Sequence, residues 1–348
     1  MNSSTFSSRP VRRLLWRLLW FSAGLACCFG AGELASRQMY AVHSDLDLQL
    51  RYLEADASEI EVLALGTSHI AQGFDPSHLS TRGFNLAFSA QDLYYDVRLF
   101  LENADRLPKL STLIVSLDWF SLGYDEARVS PHMVLDYGRS AGIPPRNAWD
   151  FGVLASRSIL VQHRKAFLKD FVQGKQPAEF TFIDAGAGLR AEAGLLRTGY
   201  LMGGEGNYKE NGLSRASFHS RECYDPELVP ENLQLLQQMV DSARDRGIRV
   251  LMITPPYTRS YREAFDSGIR TSFYTRVHQF LEGTNPKNVQ YADYSSFDLP
   301  QSNFKNSDHL NAAGAARFTK MLDAELSRWH PPASLAGALA EVDLAPKR

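Results

Sequence analysis

The fold of this chain is decided by the stretch IEVLALGTSH, residues 60–69. Its apolar part is typical of a buried strand in a parallel sheet. The small residues that follow allow a sharp turn from strand to helix, which would present the Ser68 hydroxyl at the carboxyl edge of the sheet. We therefore take Ser68 as a candidate nucleophile.

A second stretch, SDHLN at residues 307–311, comes far downstream and precedes a helical pattern over 312–326. A serine hydroxyl attacks efficiently only when a nearby imidazole removes its proton. His309 is the candidate base, because a serine after an early strand and a histidine on the last loop can meet at one edge of a doubly wound sheet. The two stretches together indicate a serine hydrolase or an acyl transferase.

Between these stretches the sequence alternates between strand and helix patterns. The strand patterns are apolar and rich in β-branched residues, which is typical of a parallel sheet covered by helices on both faces. We predict strands over 62–65, 113–117, 249–253 and 289–292, and helices over 94–104, 225–246 and 273–281. The predicted fold class is α/β.

Three blocks resemble those of the SGNH/GDSL hydrolase superfamily. Residues 66–69, GTSH, resemble the nucleophile block, residues 83–92, GFNLAFSAQD, resemble the second block, and residues 308–314, DHLNAAG, resemble the final block with the catalytic histidine. The similarity spans roughly residues 59 to 326, and it is greatest to the membrane-anchored branch associated with acylation of bacterial exopolysaccharides and cell-wall polymers. The resemblance implies a flavodoxin-like three-layer sandwich and Ser68-dependent chemistry.

The third catalytic residue departs from the family pattern. The family places an aspartate three residues before the histidine, where this chain has Asn306, while Asp308 directly precedes His309. An asparagine can hold the imidazole in one tautomer, but it supplies no negative charge to an imidazolium. Asn306 and Asp308 therefore both stay candidates. Asp293 and Asp298 are weaker ones, and a Ser–His dyad with reduced activity is a further alternative.

The oxyanion hole also departs from the family pattern. The resemblance implies that the backbone N–H groups of Ser68 and of the second block line it, and Ala90 stands where the family usually has glycine. The family's third block, Gly-x-Asn-Asp, is replaced by the sequence SLDW at residues 116–119. Asn85 or Gln91 can replace the missing side-chain donor, although both residue types are equally suited to a structural role.

Two further residues are candidates for lining the pocket. His69 follows the nucleophile directly, and we expect its side chain to diverge from that of Ser68, so it is not a candidate base. Tyr257, in the sequence TPPY at residues 254–257, ends a predicted strand at the same edge and can stack on a substrate ring. The structural alternative for His69 is that it is an ordinary polar turn residue, and the alternative for Tyr257 is that residues 254–257 form a rigid turn after a strand.

The N-terminus carries a short apolar run, residues 18–32, preceded by several arginines. Arg17 can snorkel, which extends the span to about 18 or 19 residues. Positive charge before the span predicts a cytoplasmic N-terminus and an exported remainder. A cleaved signal peptide is the alternative, and we favour an uncleaved anchor because no convincing small-x-small cleavage site is evident.

These patterns divide the chain into successive segments. We expect a cytoplasmic N-terminus over 1–13, a transmembrane anchor over 14–32, a juxtamembrane stalk over 33–58, the α/β domain over 59–328 with an insertion at about 130–222, and a tail over 329–348. Long insertions at the carboxyl edge of a sheet commonly form lids or substrate walls, and a surface excursion without function is the alternative.

Composition excludes several classes of function. Charged residues make up 22% of the 348 residues and the net charge is -2, so there is no electrostatic basis for binding nucleic acid. Cys27 and Cys28 lie in the apolar segment, which leaves Cys223 without a partner for a disulfide within the domain. We see no metal-ligand spacing and no phosphate-binding glycine loop, and we expect no cofactor.

The leading functional hypothesis is a serine-dependent enzyme, anchored in the inner (cytoplasmic) membrane, that acts on acyl esters outside the cytoplasm. The resemblance implies O-acetylation of an exopolysaccharide or cell-wall polymer, or hydrolysis of its acetyl esters. The expected partners are a polysaccharide, an acyl donor and membrane-bound polysaccharide biosynthesis or export proteins. The alternative is a non-catalytic glycan-binding or scaffold subunit, which the departures at Ala90 and Asn306 favour.

Overall fold

The structure is a computed structural model that describes residues 9–39, 45–89, 91–131, 133–146, 158, 198–201, 208–285 and 287–329. Contacts between residues divide the chain into two units. The first unit consists of residues 1–43 and 149–181, and the second of residues 44–148 and 182–348.

The first unit contains helix α1 (Arg9–Met39). Within α1, the 25 residues Val11–Ala35 are long and apolar enough to cross a membrane, and none of the most apolar stretch is buried. At 1.5 Å per residue this segment exceeds the roughly 30 Å of a bilayer's hydrocarbon core. A membrane anchor and a signal sequence share this length and composition. The helix contains the whole of the span expected at residues 14–32.

The second unit is built on a five-stranded sheet. Its strands are β1 (Val62–Leu65), β2 (Gly83–Asn85), β3 (Thr112–Ser116), β4 (Arg249–Thr254) and β5 (Val289–Asp293). The order across the sheet is β2-β1-β3-β4-β5, and every neighbouring pair runs parallel. The predicted α/β class and parallel sheet are thereby confirmed.

Helices connect and cover these strands. They are α2 (Asp45–Asp56), α3 (Ser68–Gly73), α4 (Leu93–Asn103), α5 (Glu126–Val129), α6 (Leu135–Ser140), α7 (Gly212–Arg221), α8 (Val229–Asp245), α9 (Arg259–Ala264), α10 (Ser267–Glu282) and α11 (Ala312–Trp329). Helix α4 packs against α8, and α3 packs against α11. Because the β1–β2 connection runs in the opposite direction to the later ones, right-handed crossovers place these two pairs on opposite faces of the sheet.

The strand order creates a crevice between the ends of β1 and β3. The chain leaves β1 towards β2 on one side, whereas later connections move to the other side, so the two strands flank a switch point where ligands bind in such sheets. β1 and β3 are buried along their whole length. Ser68 follows β1 and Asp118 follows β3, so the topology brings both residues to this crevice.

Gly66 makes the turn after β1 possible. Its φ of 144° lies in the region that favours glycine. A Cβ atom at this position would lie 2.3 Å from the Cβ of Ser116 in the neighbouring strand. The sequence therefore needs a glycine just before the candidate nucleophile, both for the backbone angle and for the close approach of β3.

Several element boundaries differ from the sequence predictions. The predicted helix over 225–246 is a 3-10 turn (Pro226–Leu228) followed by α8, because Pro226 and Pro230 favour a new helical start. β2 was not predicted as a strand, since three residues are too few for a periodic pattern. Among the described residues it pairs with β1 and with no other strand, which places it at an edge of the sheet.

The second half of the segment 33–58, which we expected to be a juxtamembrane stalk, is not a stalk in the structure. Helix α2 packs on the α/β domain, where Leu46 and Leu53 are buried. The Gln49 amide donates hydrogen bonds to the carbonyl oxygens of Asn85, Ala87 and Gly199. These contacts make α2 part of the domain rather than a spacer, because Leu46, Gln49 and Leu53 are all buried against it. The tail after residue 329 lies outside the described residues.

Candidate active site

The nucleophile candidate, Ser68, lies at the first residue of α3. Thr67 caps this helix with its side-chain oxygen, which accepts a hydrogen bond from the His69 backbone N–H at 3.2 Å. The Ser68 backbone N–H has no acceptor among the described residues. The Ser68 side chain is half-buried, so its hydroxyl is accessible at the end of β1.

Ser68 contacts the imidazole of His309. The distance from Ser68 Oγ to His309 Nε2 is 2.8 Å. On the far side of the ring, His309 Nδ1 lies 3.1 Å from Asn306 Oδ1. We call these three residues the Ser68–His309–Asn306 array, and they are in the order nucleophile, base and orienting residue that nucleophilic catalysis requires.

The array fixes the tautomer of His309. Asn306 Oδ1 also accepts the backbone N–H groups of Asp308 and His309, at 3.2 and 2.8 Å, so this atom is the amide oxygen. An amide oxygen only accepts hydrogen bonds, and His309 Nδ1 must therefore carry the proton. His309 Nε2 is then free to accept the proton of Ser68, which is the arrangement of a general base.

Asp308 lies beside the same ring but outside its hydrogen-bond direction. Its Oδ1 is 3.2 Å from His309 Nδ1, yet that oxygen has no hydrogen-bond partner of acceptable geometry. Its Oδ2 accepts hydrogen bonds from Arg215 Nε at 2.8 Å and from His69 Nε2 at 3.1 Å. Burial opposes ionisation of Asp308, but His309, His69 and Arg215 together hold its pKa well below its usual range.

His69 is buried between two carboxylates. Its Nδ1 lies 2.8 Å from Asp118 Oδ1, and its Nε2 contacts Asp308. Burial alone would lower the pKa of His69, but the two carboxylates outweigh it and raise this pKa to about 9. We call Asp118, His69, Asp308 and Arg215 the charge cluster. The sequence predicted that His69 lines the pocket; it is among the residues that line the cleft, but its side chain is only 2% exposed, so most of the ring is packed behind the cleft.

His309 has the opposite electrostatic environment. Burial lowers its pKa to about 4, and the positive charges of His69 and Arg215 act in the same direction, while Asp308 opposes them. The imidazole of His309 is therefore neutral at physiological pH. A neutral imidazole is the form that can accept a proton from a serine hydroxyl.

Other polar side chains hold the charge cluster in place. Asp118 accepts hydrogen bonds from the hydroxyl groups of Thr67, at 2.8 Å, and of Tyr257, at 2.5 Å. Arg215 also donates to His219 Nε2 at 3.1 Å, and His219 Nδ1 bonds the Tyr261 hydroxyl at 2.7 Å. Every buried charge in the cluster thus has several partners, as low-dielectric sites require.

The candidate site opens into a cleft of about 350 Å³. The cleft is lined by residues from the ends of β1 and β3, from the loop before α11 and from the expected insertion: Thr67, Ser68, His69, Gln72, Ser89, Phe120, Tyr124, Glu126, Val129, Ser130, Met133, Arg215, Phe218, His219, Cys223, Lys305, Asn306 and His309. Ser130, Met133 and Phe218 show that described parts of the insertion form walls of the cleft. The remainder of residues 130–222 lies largely outside the described residues.

The residues His69, Asp308 and His309 also have to be considered as metal ligands. One nitrogen or oxygen atom of each lies within 4.8 Å of the others. However, His69 uses both ring nitrogens to contact carboxylates, and the Arg215 guanidinium contacts Asp308 Oδ2. A divalent ion would have to displace these hydrogen bonds and lie against a positive guanidinium, so the residues fit a hydrogen-bonded cluster better than a metal centre.

Three other sequence candidates lie away from the cleft. The Asn85 amide nitrogen donates to the carbonyl oxygens of Ile70 and Phe74, at 2.9 and 2.7 Å, so it caps the end of α3. The Gln91 amide nitrogen donates to Asp96 at 2.7 Å. Tyr257 is only 2% exposed and contacts Asp118 rather than solvent. Their polar groups are thus used within the fold, and Ala90 lies outside the described residues.

The weaker alternatives for the third catalytic residue are elsewhere. Asp293 accepts the Tyr274 hydroxyl at 2.7 Å and the Ser295 backbone N–H at 2.8 Å. Asp298 lines a different cavity. Neither residue is among those that line the cleft at Ser68.

Sequence reasoning missed the roles of Asp118 and Arg215. Asp118 belongs to the sequence SLDW, which replaces the family's third block, and an ionised carboxylate cannot be the donor missing there. Its position after β3 nevertheless places it at the edge of the sheet where Ser68 lies. Arg215 lies in the irregular insertion, and no spacing or motif connects it to residues 306–309. Only the fold brings it to Asp308.

Comparison with protein-family models finds no match to this chain, and comparison with curated proteins finds no similar protein. The resemblance to the SGNH/GDSL superfamily consists of three short blocks. A fold of this class supports many unrelated activities, so the functional conclusion has to come from the geometry of the site.

Proposed function

We propose that this chain is a serine-dependent acyl-ester enzyme in which Ser68 is the nucleophile and His309 the general base. The observation that carries the proposal is the Ser68–His309–Asn306 array, with the Ser68 hydroxyl 2.8 Å from a neutral, buried imidazole of fixed tautomer. A serine beside such an imidazole at the switch point of a parallel sheet is the arrangement that covalent acyl transfer needs.

The proposed reaction has two half-reactions. His309 Nε2 takes the Ser68 proton as Oγ attacks the carbonyl carbon of an acyl donor, and the resulting imidazolium then protonates the leaving oxygen as the C–O bond breaks. An acyl-Ser68 intermediate is left. In the second half-reaction His309 removes a proton from a sugar hydroxyl or from water as its oxygen attacks the acyl carbonyl carbon, and the imidazolium then gives that proton to Ser68 Oγ as the bond between the acyl group and Oγ breaks.

Asn306 and Asp308 divide the work of the usual triad aspartate. Asn306 Oδ1 accepts the His309 Nδ1–H and holds the ring towards Ser68. Asp308 Oδ1 is 3.2 Å from the same nitrogen and supplies negative charge when the ring becomes an imidazolium. Asp308 therefore provides the negative charge that the Asn306 amide lacks.

The oxyanion of the tetrahedral intermediate needs donors near Ser68. The Ser68 backbone N–H, which has no acceptor among the described residues, is one such donor. The resemblance assigns a second donor to the backbone around Ala90. Asn85 and Gln91, which we expected as possible side-chain donors, do not take this role, because their amide nitrogens already donate to other atoms of the domain.

The proposed substrates are acyl esters of a polysaccharide outside the cytoplasm. The SGNH-like blocks support O-acetyl transfer to an exopolysaccharide or cell-wall polymer, or hydrolysis of its acetyl esters. Helix α1 is long enough to anchor the protein in a membrane, and the arginines before it favour a cytoplasmic N-terminus with the α/β domain on the other side. The partners would then be an acyl donor, the polymer and other membrane-bound proteins of its synthesis or export.

The proposal is tested with the full chain in detergent and p-nitrophenyl acetate as the acyl donor. We expect turnover above the uncatalysed rate for the wild type and for the control Ser214→Ala, since Ser214 lies on the exposed face of α7. Ser68→Ala should lose this turnover. Folded wild type with no Ser68-dependent turnover, against this ester and against acetylated polysaccharide, would contradict the proposal and favour a glycan-binding or scaffold protein.

A further inference from the structure

His69 contacts two groups that can only accept hydrogen bonds. Its Nδ1 lies 2.8 Å from Asp118 Oδ1 and its Nε2 lies 3.1 Å from Asp308 Oδ2. Ionised carboxylates have no proton to donate, and a neutral imidazole carries a proton on one nitrogen only. Both contacts are satisfied at the same time only when both ring nitrogens of His69 are protonated.

The charges around His69 favour the same state. The side chains of Asp118 and Asp308 are 0% exposed, and that of His69 is 2% exposed. Arg215 contributes one positive charge and forms an ion pair with Asp308. With a protonated His69 the charge cluster is neutral, whereas a neutral His69 would leave an excess buried carboxylate, which is strongly unfavourable.

The position of His69 links the two halves of the proposed catalytic array. It follows Ser68 at the start of α3, and its partner Asp308 precedes His309 in the loop before α11. The other partner, Asp118, follows β3. The bond between His69 and Asp308 therefore ties the backbone beside the nucleophile to the backbone beside the base, across two elements that are far apart in sequence.

His69 also acts on His309 through space. The centroids of the two rings lie 4.6 Å apart. A positive charge at this distance disfavours protonation of a neighbouring imidazole. The titratable and charged groups that face the His69 ring from the surrounding elements are Asp118, Asp308, His219, Tyr257 and His309.

We propose that His69 is a positioning residue, protonated at neutral pH, that holds the Ser68 and His309 segments together and keeps His309 in its neutral, basic form. The second half of this statement rests on the proposed function, because it assigns His309 as the base. His69 itself touches neither the Ser68 hydroxyl nor a reacting atom. It acts through Asp308 and through its charge.

The test is nitrogen-15 NMR of the full chain in detergent, with labelled histidine. The chain has 9 histidines, and the spectra of His69→Gln and His309→Gln assign the two signals that matter, with the exposed His278→Gln as the control. We expect both nitrogens of His69 to be protonated at pH 7.5 in the wild type. We expect His309 to have a proton on Nδ1 only. A single proton on His69 at this pH would overturn the proposal.

The His69→Gln variant tests the effect on His309 separately from turnover. Glutamine keeps a donor towards one carboxylate but removes the positive charge, so the pKa of His309 should rise by about one pH unit. The acid limb of the esterase pH profile should move up with it. An unchanged His309 titration in a folded variant would overturn the electrostatic part of the proposal. If the variant does not fold, the titration of His309 in the wild type provides the second test: its pKa should be lowered to about 4, and a His309 that titrates near its ordinary 6.5 would overturn the electrostatic part of the proposal.

The two proposals can fail independently. A doubly protonated His69 in a protein without Ser68-dependent turnover would support the positioning role and contradict the enzyme. Turnover in a wild type whose His69 carries one proton would support the enzyme and contradict the positioning role.

Discussion

Two imidazoles lie 4.6 Å apart in this protein and have opposite properties. His69 is enclosed by Asp118 and Asp308, and its pKa is raised to about 9. His309 lies between a serine hydroxyl and an amide oxygen, and burial lowers its pKa to about 4. Both rings are buried, so burial alone does not explain the difference. The partners of each ring decide which one is the charged residue and which one is the base.

The comparison teaches how one small site can contain both a cation and a base at neutral pH. One of the two carboxylates that stabilise the His69 imidazolium, Asp308, is also close to His309, but it interacts with Arg215 and His69 at the same time. Environments that separate the pKa values of neighbouring titratable groups are typical of catalytic sites.

The largest effect should come from removing the base. We expect His309→Gln to lower kcat for p-nitrophenyl acetate by roughly 10⁴-fold, because the Ser68 hydroxyl then has no group to take its proton. Steady-state assays of the full chain measure this. His278→Gln, on the exposed face of α10, should keep wild-type activity. A loss below tenfold in His309→Gln would show that His309 is not the base.

The next largest effect should be on stability and should come from removing a carboxylate partner of His69. Asp118→Asn leaves His69 with one ionised partner and weakens a buried ion pair, so the free energy of unfolding should fall by about 4 kcal/mol. Urea unfolding at pH 7 measures this change. The control is Asp241→Asn, whose exposed pair with Arg244 should contribute less than about 1 kcal/mol. Equal effects of the two substitutions would contradict a buried His69 imidazolium.

The stability of the protein should depend on pH through His69. Its folded pKa of about 9 lies above the ordinary value of 6.5, so its contribution is fully present below pH 6.5 and is lost as the pH rises through 9. The contribution corresponds to about 3 kcal/mol. Between pH 6.5 and 9.5 the free energy of unfolding of the wild type should therefore fall by about 3 kcal/mol more than that of His69→Gln. If the free energy of unfolding changes with pH in the same way in the two proteins, the raised pKa of His69 is contradicted.

A smaller effect should come from the residue that orients the base. Asn306→Ala removes the acceptor of the His309 Nδ1–H and should lower kcat by roughly 100-fold, because the ring is no longer held towards Ser68. Asn306→Asp restores an acceptor with a negative charge, so it should recover most of this loss and raise the pKa of His309. The acid limb of the pH profile distinguishes the two variants. If Asn306→Ala retains wild-type kcat, Asp308 rather than Asn306 orients the ring.

The sequence indicated part of this architecture for physical reasons. The apolar run over 60–65 and the glycine after it predicted a buried strand and a tight turn, and the structure has β1 followed by Gly66 with φ 144°. The same pattern predicted that Ser68 and His309 meet, because both lie at the carboxyl edge of the sheet. Their contact at 2.8 Å is observed.

The rest depended on contacts that no local pattern encodes. Asp118 follows β3 whereas its partner, His69, follows β1, and Arg215 comes from α7, which no sequence motif connects to residues 306–309. Asn85 and Gln91 looked like free donors because sequence does not show that nearby carbonyl oxygens and Asp96 already occupy them. Buried polar networks of this kind are satisfied by the whole fold rather than by neighbouring residues.

The central claim is that Ser68 forms a covalent acyl intermediate with the help of His309. The most direct measurement is mass spectrometry of the full chain, digested after rapid mixing with p-nitrophenyl acetate and acid quenching. We predict one acetyl group on the peptide that contains Ser68 in the wild type, none at that residue in Ser68→Ala, and a much slower appearance in His309→Gln. A wild-type protein that turns over the ester without acetylation of Ser68, or with the label on another residue, would contradict the account.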